Sequence, residues 1–336
     1  MIVNYIGSKL SLIPFLESVV ENFVGVDLRD KVFCDIFAGT GIVGRSFKPR
    51  VRKVISNDWE YYSYVLNRNY IGNRTPIEGA ESLLTQLNQI DSSKSGFIYE
   101  NYCLGSSSGR QYFSDENGKK IDAIRVQIES WLKAGAISKD IYFFLLASLL
   151  ESADKIANTA SVYGAFLKHL KKTARNPLIL KPAVFSLSDN EHEVYCCDAN
   201  RLIKTIEGDI LYLDPPYNTR QFGANYHLLN TIAEYKFFSP RGKTGLRDYS
   251  RSLYCSKKTA LSSFEALIKN ANFKFIVLSY NNEGLMSSKD IASVMSKYGH
   301  YDLASQLYHR FRADNENNRS YRATDTVEYL HLLEKS

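Results

Sequence analysis

The chain has few cysteines, and none stands in a metal-binding spacing. Cys34, Cys103, Cys196, Cys197 and Cys255 form no CxxC pair and no Cys/His set with zinc spacing, so no metal site is expected. Cys196 and Cys197 sit in a strand-like run that would turn them to opposite faces. Long apolar runs are also missing, and the N-terminal "MIVNYIGSKLSLIPFLE" has neither an uninterrupted apolar core nor a small-residue cleavage site. The expectation is therefore a cytoplasmic protein without a membrane span. The glycine turn at 39–41 is not followed by Lys-Ser or Lys-Thr, which excludes a Walker-type phosphate loop. Internal repeats and low-complexity tracts are absent as well. Acidic residues are missing from Ser161 to Ser188, a stretch that carries Lys168, Lys171, Lys172, Arg175 and Lys181.

What is present suits a large globular chain. Of 336 residues, 44% are apolar and 13% aromatic, enough for a packed core and too many for wholesale disorder. The length predicts a principal core with a second, smaller module. The formal charge is +6, and its distribution says more than its sum. Between Tyr235 and Ser263, Lys236, Arg241, Lys243, Arg247, Arg251, Lys257 and Lys258 face only Asp248, and Arg310, Arg312, Arg319 and Arg322 form a third group. Any one block can be a solvated face. Three of them point to a polyanion, whose phosphates release counterions when neutralised.

Short β-rich runs occur at "KVFCDIF" (31–37), "KVISND" (53–58), "EVYCCD" (193–198), "DILYLD" (209–214) and "FKFIVLSY" (273–280). Several are continuously apolar, as strands buried on both faces of a parallel sheet would be. The helical stretches "GIVGRSFK" and "WEYYSYVLNRNY" follow the first two, and this βαβ alternation predicts an α/β fold. The alternation stops between 73 and 190. A Gly-, Ser- and aromatic-rich segment there precedes two helical patterns. The first puts Ile121, Ile124, Ile128 and Trp131 or Leu132 on one stripe; the second opens at Ser138, an N-cap candidate, and is apolar nearly all round. The reading is a catalytic domain of 1–72 and 191–336 with an inserted module of 73–190. Within the module, "ADKIANTASVYGAFLKHLKK" (153–172) suits either phosphate contact or a packed helix with a solvated lysine face.

Two constellations carry chemistry. In "DIFAGTGIVG" (35–44), Gly39 and Gly41 let the backbone turn tightly and approach a ligand, and Gly44 permits close helix packing. Asp58 ends the next strand at the spacing where a carboxylate takes ribose hydroxyls, and Asn57 beside it could share that role. A dinucleotide such as NAD and S-adenosylmethionine both remain open on this ground. The second is "DPPY": Asp214 ends an apolar strand, Pro215 and Pro216 stiffen the chain and remove two N–H donors, and Tyr217 adds a flat apolar face. An acid, rigid carbonyls and a ring fit methylation of an aromatic amine. Its lone pair is delocalised, and acceptors gripping its hydrogens favour pyramidalisation, with Asp214 able to take the departing proton. Tyr217 would stack on a base that has left the duplex.

With these residues in view, the chain resembles the N6-adenine DNA methyltransferases of the Dam-like group, found in restriction-modification systems, over nearly its whole length. "NYIGSK" (4–9) is similar to the motif whose aromatic residue and lysine line the cofactor site, here Tyr5 and Lys9. "DIFAGTG" resembles the methionine-side cofactor motif, led by Asp35 and Phe37, and Asp58 matches the ribose-binding acid. "CDAN" (197–200) is similar to the motif whose acid, Asp198, meets the cofactor's adenine. "DPPY" is the catalytic motif, and "NTRQFGANYHLLNTIAEY" with "LSYNNEGL" resembles the segments after it. "RFRADNENNR" and "TVEYLHLLEK" resemble a closing hairpin. The resemblance implies a Rossmann-like S-adenosylmethionine-dependent methyltransferase fold, S-adenosyl-L-methionine as cofactor, base flipping, and a target-recognition module at 73–190. It also implies duplex DNA as partner, a cognate restriction endonuclease and a monomer. Lys168, Lys171, Lys172, Arg220, Arg241 and Lys243 are the expected DNA contacts. Asn218 and Gln221 could join Arg220 at the DNA or brace the loop.

Other readings stay open. Cytosine C5 methylation uses a Pro-Cys thiolate, and no cysteine here follows a proline. Methylation at cytosine N4, where resembling enzymes carry Ser before Pro-Pro-Tyr, or of an RNA amine would use the same grip. An NAD-dependent oxidoreductase would use the glycine turn but leaves DPPY and residues 73–190 unexplained.

Overall fold

The computed structural model describes residues 9–309 and 325–336; Tyr5, Arg310, Arg312, Arg319, Arg322 and the segment "RFRADNENNR" lie outside the described residues. The described chain divides into two compact units, one holding 9–59, Ser188–Gln221 and the residues from Arg251 onward, the other Glu60–Leu187 and Phe222–Ser250.

The first unit is built on strands β1 (Val32–Asp35), β2 (Lys53–Asn57), β3 (Glu193–Tyr195), β4 (Glu207–Leu213), β5 (Asn272–Asn281), β6 (Gly299–His309) and β7 (Asp325–Lys335). They form one 7-stranded sheet in the order β3-β2-β1-β4-β5-β7-β6. The five runs expected as strands pair in parallel, while β7 lies antiparallel between β5 and β6. Every residue of β1 is buried, because helices cover both faces, and this is why these strands read as unbroken apolar runs. On one face Phe33 stacks on Phe47 at 4.2 Å between centroids. On the other, Cys34, Leu211, Ile276 and Leu278 join Phe264 and Leu267 of the helix Ala260–Asn270. Strand order reverses at β1, whose neighbours are β2 and β4. At such a switch point the strand ends frame a crevice for ligands. Asp35 is in register with Tyr212, so Asp35 and Asp214, two residues further on, share one edge of the sheet.

The second unit is helical. The helix Asp115–Lys133 starts at Ser114, whose side chain accepts from Asn117 N–H, and the helix Lys139–Ile156 starts at the expected Ser138, which accepts from Ile141 N–H. Ile121, Ile124 and Ile128 are buried as a stripe, and the second helix is buried nearly all round. This unit is wider than the segment 73–190. Tyr62, Val65 and Leu66 from the helix Tyr61–Asn67 and Leu228, Leu229 and Ile232 from the helix His227–Glu234 complete the same core, so these flanking helices bury their apolar faces there.

The stretch 153–172 is not one helix, for the second helix ends at Ile156. Asn158, fully buried, replaces helical bonding with its own: its amide donates to the carbonyls of Gln111 and Leu167, and its oxygen accepts from Lys171 N–H. Ser161 adopts a φ of 92°, a conformation that non-glycine residues rarely take.

Candidate active site

The turn after β1 is left-handed at both Gly39 (φ 52°) and Gly41 (φ 77°), where a Cβ would be strained. The Gly39 N–H donates to Asp58 Oδ2 at 2.8 Å, which ties the glycine turn to the end of β2. Asn57 is committed elsewhere. Its amide donates to the carbonyls of Ile36 and Cys197, at 3.0 and 3.1 Å, and its oxygen accepts from Cys197 N–H. It joins the ends of three strand segments, so its side chain is taken up at the sheet edge. Asp198 caps the short helix Ala199–Leu202, with Oδ1 accepting from Arg201 N–H at 2.9 Å. The ring of Phe37 stands edge-on to Tyr254 at 5.1 Å, and Tyr254 in turn donates to Asn200 Oδ1.

Asp35 is 1% exposed, and among the described residues its Oδ1 has no hydrogen-bond partner. Burial, with Asp214 and then Asp58 nearby, pushes its carboxyl well above the usual range, against backbone N–H bonds from Gly44 and Phe37.

Asp214 follows β4 directly, and Asp214 to Tyr217 run as loop. The carbonyl of Tyr217 accepts from Leu285 N–H at 3.0 Å, and its ring packs on the core of this unit. Lys9 is buried, with Nζ 3.3 Å from Asp214 Oδ1 and 2.7 Å from Glu328 Oε1. Ser279 Oγ donates to the same Glu328 oxygen at 2.6 Å. Burial pushes the Asp214 carboxyl up to about 6; Lys9 opposes the rise and Glu328 adds to it. For Lys9, burial alone would lower the ammonium, but Asp214 and Glu328 outweigh it and hold it well above its ordinary value. Lys9 therefore stays charged at neutral pH. The Asp214 side chain keeps 21% of its surface exposed, so a carboxylate clamped on one oxygen remains open to a ligand.

Sequence reasoning brought Lys9, Asp35, Asp58, Asp198 and Asp214 to this unit but missed Glu328 and Ser279. The available signal was Glu328 inside the apolar strand "TVEYLHLLEK", since an acid on a buried strand face is costly unless it is paired.

Of the expected DNA contacts, Lys168, Lys172, Arg220, Arg241 and Lys243 are exposed, whereas Lys171 is half-buried and its Nζ donates to the Thr159 carbonyl at 2.7 Å. Asn218 Oδ1 accepts from Arg220 N–H and Gln221 Oε1 from Ser252 N–H. Those two side chains brace the loop. In the helical unit, residues 110–112 tie two basic loops together. Arg110 donates to the carbonyls of Gly242 (2.9 Å), Lys243 (3.3 Å) and Asn101 (3.1 Å). Gln111 accepts from the Asn158 amide, and the Tyr112 hydroxyl donates to the Tyr163 carbonyl. The loops carrying Lys168 and Lys172 and carrying Arg241 and Lys243 thus share one pedestal, although 133 residues separate Arg110 from Lys243.

Among the described residues no cluster of His, Cys, Asp or Glu is placed to hold a metal ion, and no helix is long and apolar enough to cross a membrane.

Comparison with known proteins bears directly on this arrangement. Residues 5–294 match the family of D12 class N6 adenine-specific DNA methyltransferases. The chain is 62% identical over 333 residues to the type II methyltransferase M.NlaIII of Neisseria lactamica, covering 99% of each. It is 36% identical to the type II methyltransferase M.CviAII of Paramecium bursaria Chlorella virus 1, covering 98% of each. It is 37% identical to the type II methyltransferase M.FokI of Planomicrobium okeanokoites, with 99% of this chain spanning 52% of that protein. The chain belongs to the D12 class N6 adenine-specific DNA methyltransferases, enzymes that methylate adenine N6 in DNA with S-adenosyl-L-methionine as the methyl donor.

Proposed function

We propose that Asp214 is the group that grips the target adenine amine and takes its proton, as part of a modification enzyme paired with a restriction endonuclease acting on the same site. The observation that carries the catalytic assignment is the Lys9-clamped carboxylate at the switch point of the sheet, partly desolvated yet still exposed. The type II methyltransferases M.NlaIII and M.CviAII, matched end to end, support the restriction-modification role.

The residues fit the cofactor. Asp35, with an unpartnered buried oxygen, suits the amino group of its methionine part. Gly39 and Gly41 let the backbone approach, Phe37 would line the methionine side with Asp35, Asp58 suits the ribose hydroxyls, and Asp198 would meet the adenine. S-adenosyl-L-methionine, when bound, supplies an electrophilic methyl on a sulfonium. The chain's own work lies on the amine side. Asp214 accepts an amine hydrogen, the stiff Pro215–Pro216 backbone holds its carbonyls still, and Tyr217 stacks on the flipped base. When the nitrogen gains a methyl it must lose one proton, and the Asp214 carboxylate is the base within reach. With its pKa pushed up to about 6, it is ionised at neutral pH yet more basic than a surface aspartate.

The helical unit, including most of the inserted segment 73–190, would read the DNA. Its support is the pair of basic loops on the Arg110–Tyr112 pedestal. The chain would act as a monomer, since one copy carries every group named.

The test is Asp214→Ala. Methyl transfer to unmethylated DNA should vanish while calorimetric binding of S-adenosyl-L-methionine survives. Normal turnover in this variant would remove Asp214 from the mechanism.

A further inference from the structure

We propose that Glu328, on the closing strand β7, is a positioning residue for methyl transfer: by holding the Lys9 ammonium it decides how much of the Asp214 carboxylate is left for the target amine. This rests on the reading of Asp214 as the acceptor.

The geometry is an unequal tug. Lys9 Nζ lies 2.7 Å from Glu328 and 3.3 Å from Asp214, so the cation leans towards the residue that has no place in the reaction. Glu328 is 4% exposed, and Ser279 on β5 donates to the same oxygen that receives Lys9. In register, β7 sets Ser279 opposite Leu330 and Asn281 opposite Glu328, so two paired strands fix where Glu328 stands. A buried carboxylate in a sheet core costs stability unless it is compensated. Lys9 and Ser279 compensate it here. Without Glu328, Lys9 would have one carboxylate left to satisfy and would close on Asp214, occupying lone pairs that the amine hydrogen needs and making Asp214 a weaker base.

Among the described residues, the groups facing Asp214 are Lys9, Glu328 on β7, Asp35 on β1, Tyr212 on β4, Tyr280 on β5, and Tyr217 on its own loop. Among them Lys9 is the cation and Glu328 the acid that shares it. Asp214 must be ionised to accept a hydrogen, so transfer is lost as pH falls through its pKa. A negative Glu328 raises that pKa. Neutralising Glu328 lowers it and carries the acid limb of the rate to lower pH, while Lys9→Gln, which removes the opposing cation, carries the limb the other way.

The experiment is single-turnover transfer of labelled methyl to unmethylated plasmid DNA at saturating enzyme and donor, from about pH 5 to about pH 8.5, for the full chain and its variants. Glu328→Gln should lower the plateau rate by roughly tenfold and move the acid limb down by about one pH unit. Glu328→Asp, with its carboxylate drawn back from Lys9, should move the limb the same way by less, and Lys9→Gln should move it upward. Thermal melting of each variant accompanies the rates. A lower rate in Glu328→Gln with an unmoved limb, or a limb unmoved at full rate, overturns the proposal. Should Glu328→Gln fail to fold, Glu328→Asp decides by the same criterion. Asp214→Asn separates the two levels: if it turns over normally the underlying reading fails, and if it is dead while the limb of Glu328→Gln stays put, only the positioning role fails.

Discussion

In the proposed mechanism Asp214 works because it is partly desolvated, and Tyr217 because of its shape. The ring of Tyr217 packs on the unit's core, and burial raises its hydroxyl above the ordinary range, so the phenol stays neutral and the proposed role asks only for its face. Tyr217→Ala should lower turnover by roughly ten- to a hundredfold, the worth of about 1–3 kcal/mol for stacking on one base. Tyr217→Phe should stay within about twofold of the parent. Steady-state kinetics on plasmid DNA checks this, and equal losses would show that the hydroxyl matters after all. Asp214 and Tyr217 could be picked out in the sequence because an acid, two prolines and a ring after an apolar run are an odd local pattern. Glu328 could not be assigned in the same way. Its partner Lys9 is 319 residues away in the chain, and only pairing of β5 with β7 brings the two carboxylates to one ammonium.

Among elements, the sharpest contrast is between the helix Lys139–Ile156 and the loop that follows it. Ser138 as cap and an all-round apolar pattern were readable locally, since capping and helical burial depend on residues a few positions apart. The path of the chain after the helix was not, because Asn158 bonds to Gln111 and Leu167, and it takes the folded core to put Gln111 there. The same holds for the loop at 240–246, stapled by Arg110. Arg110→Met would keep the apolar stem and delete the charge-assisted bonds to the carbonyls of Asn101, Pro240, Gly242 and Lys243, the best of them worth about 1.5–3 kcal/mol. The expected result is faster hydrogen exchange across 240–246. If this loop reads bases, discrimination between the target and single-mismatch sites should also fall by roughly tenfold. Faster exchange with unaltered discrimination would move sequence reading off this loop.

At the scale of the whole molecule, the net charge of +6 matters less than where the cations stand, because affinity follows the phosphates neutralised. Lys168, Lys172 and Lys243 are exposed, while Lys171 spends its ammonium on the Thr159 carbonyl. Replacing the first three with Gln should flatten the salt dependence of DNA binding by about one in log-log slope for each phosphate no longer neutralised. Lys171→Gln should loosen its loop and leave the slope alone. Binding titrations at several salt concentrations distinguish them, and an unchanged slope in the triple variant would place the phosphates elsewhere. The sequence by itself determined the α/β class, the sheet-edge acids, the glycine turn and the stiff Asp-Pro-Pro-Tyr loop, because each is written in neighbouring residues whose period or chemistry is local. The tertiary structure alone decided which lysine pairs with Asp214, that Glu328 shares it, that Asn57 ties strand ends together, and that two distant basic loops stand on one pedestal. Those outcomes depend on which strands pair and which carbonyls lie within about 3 Å of a donor, distances that exist only once the chain has folded.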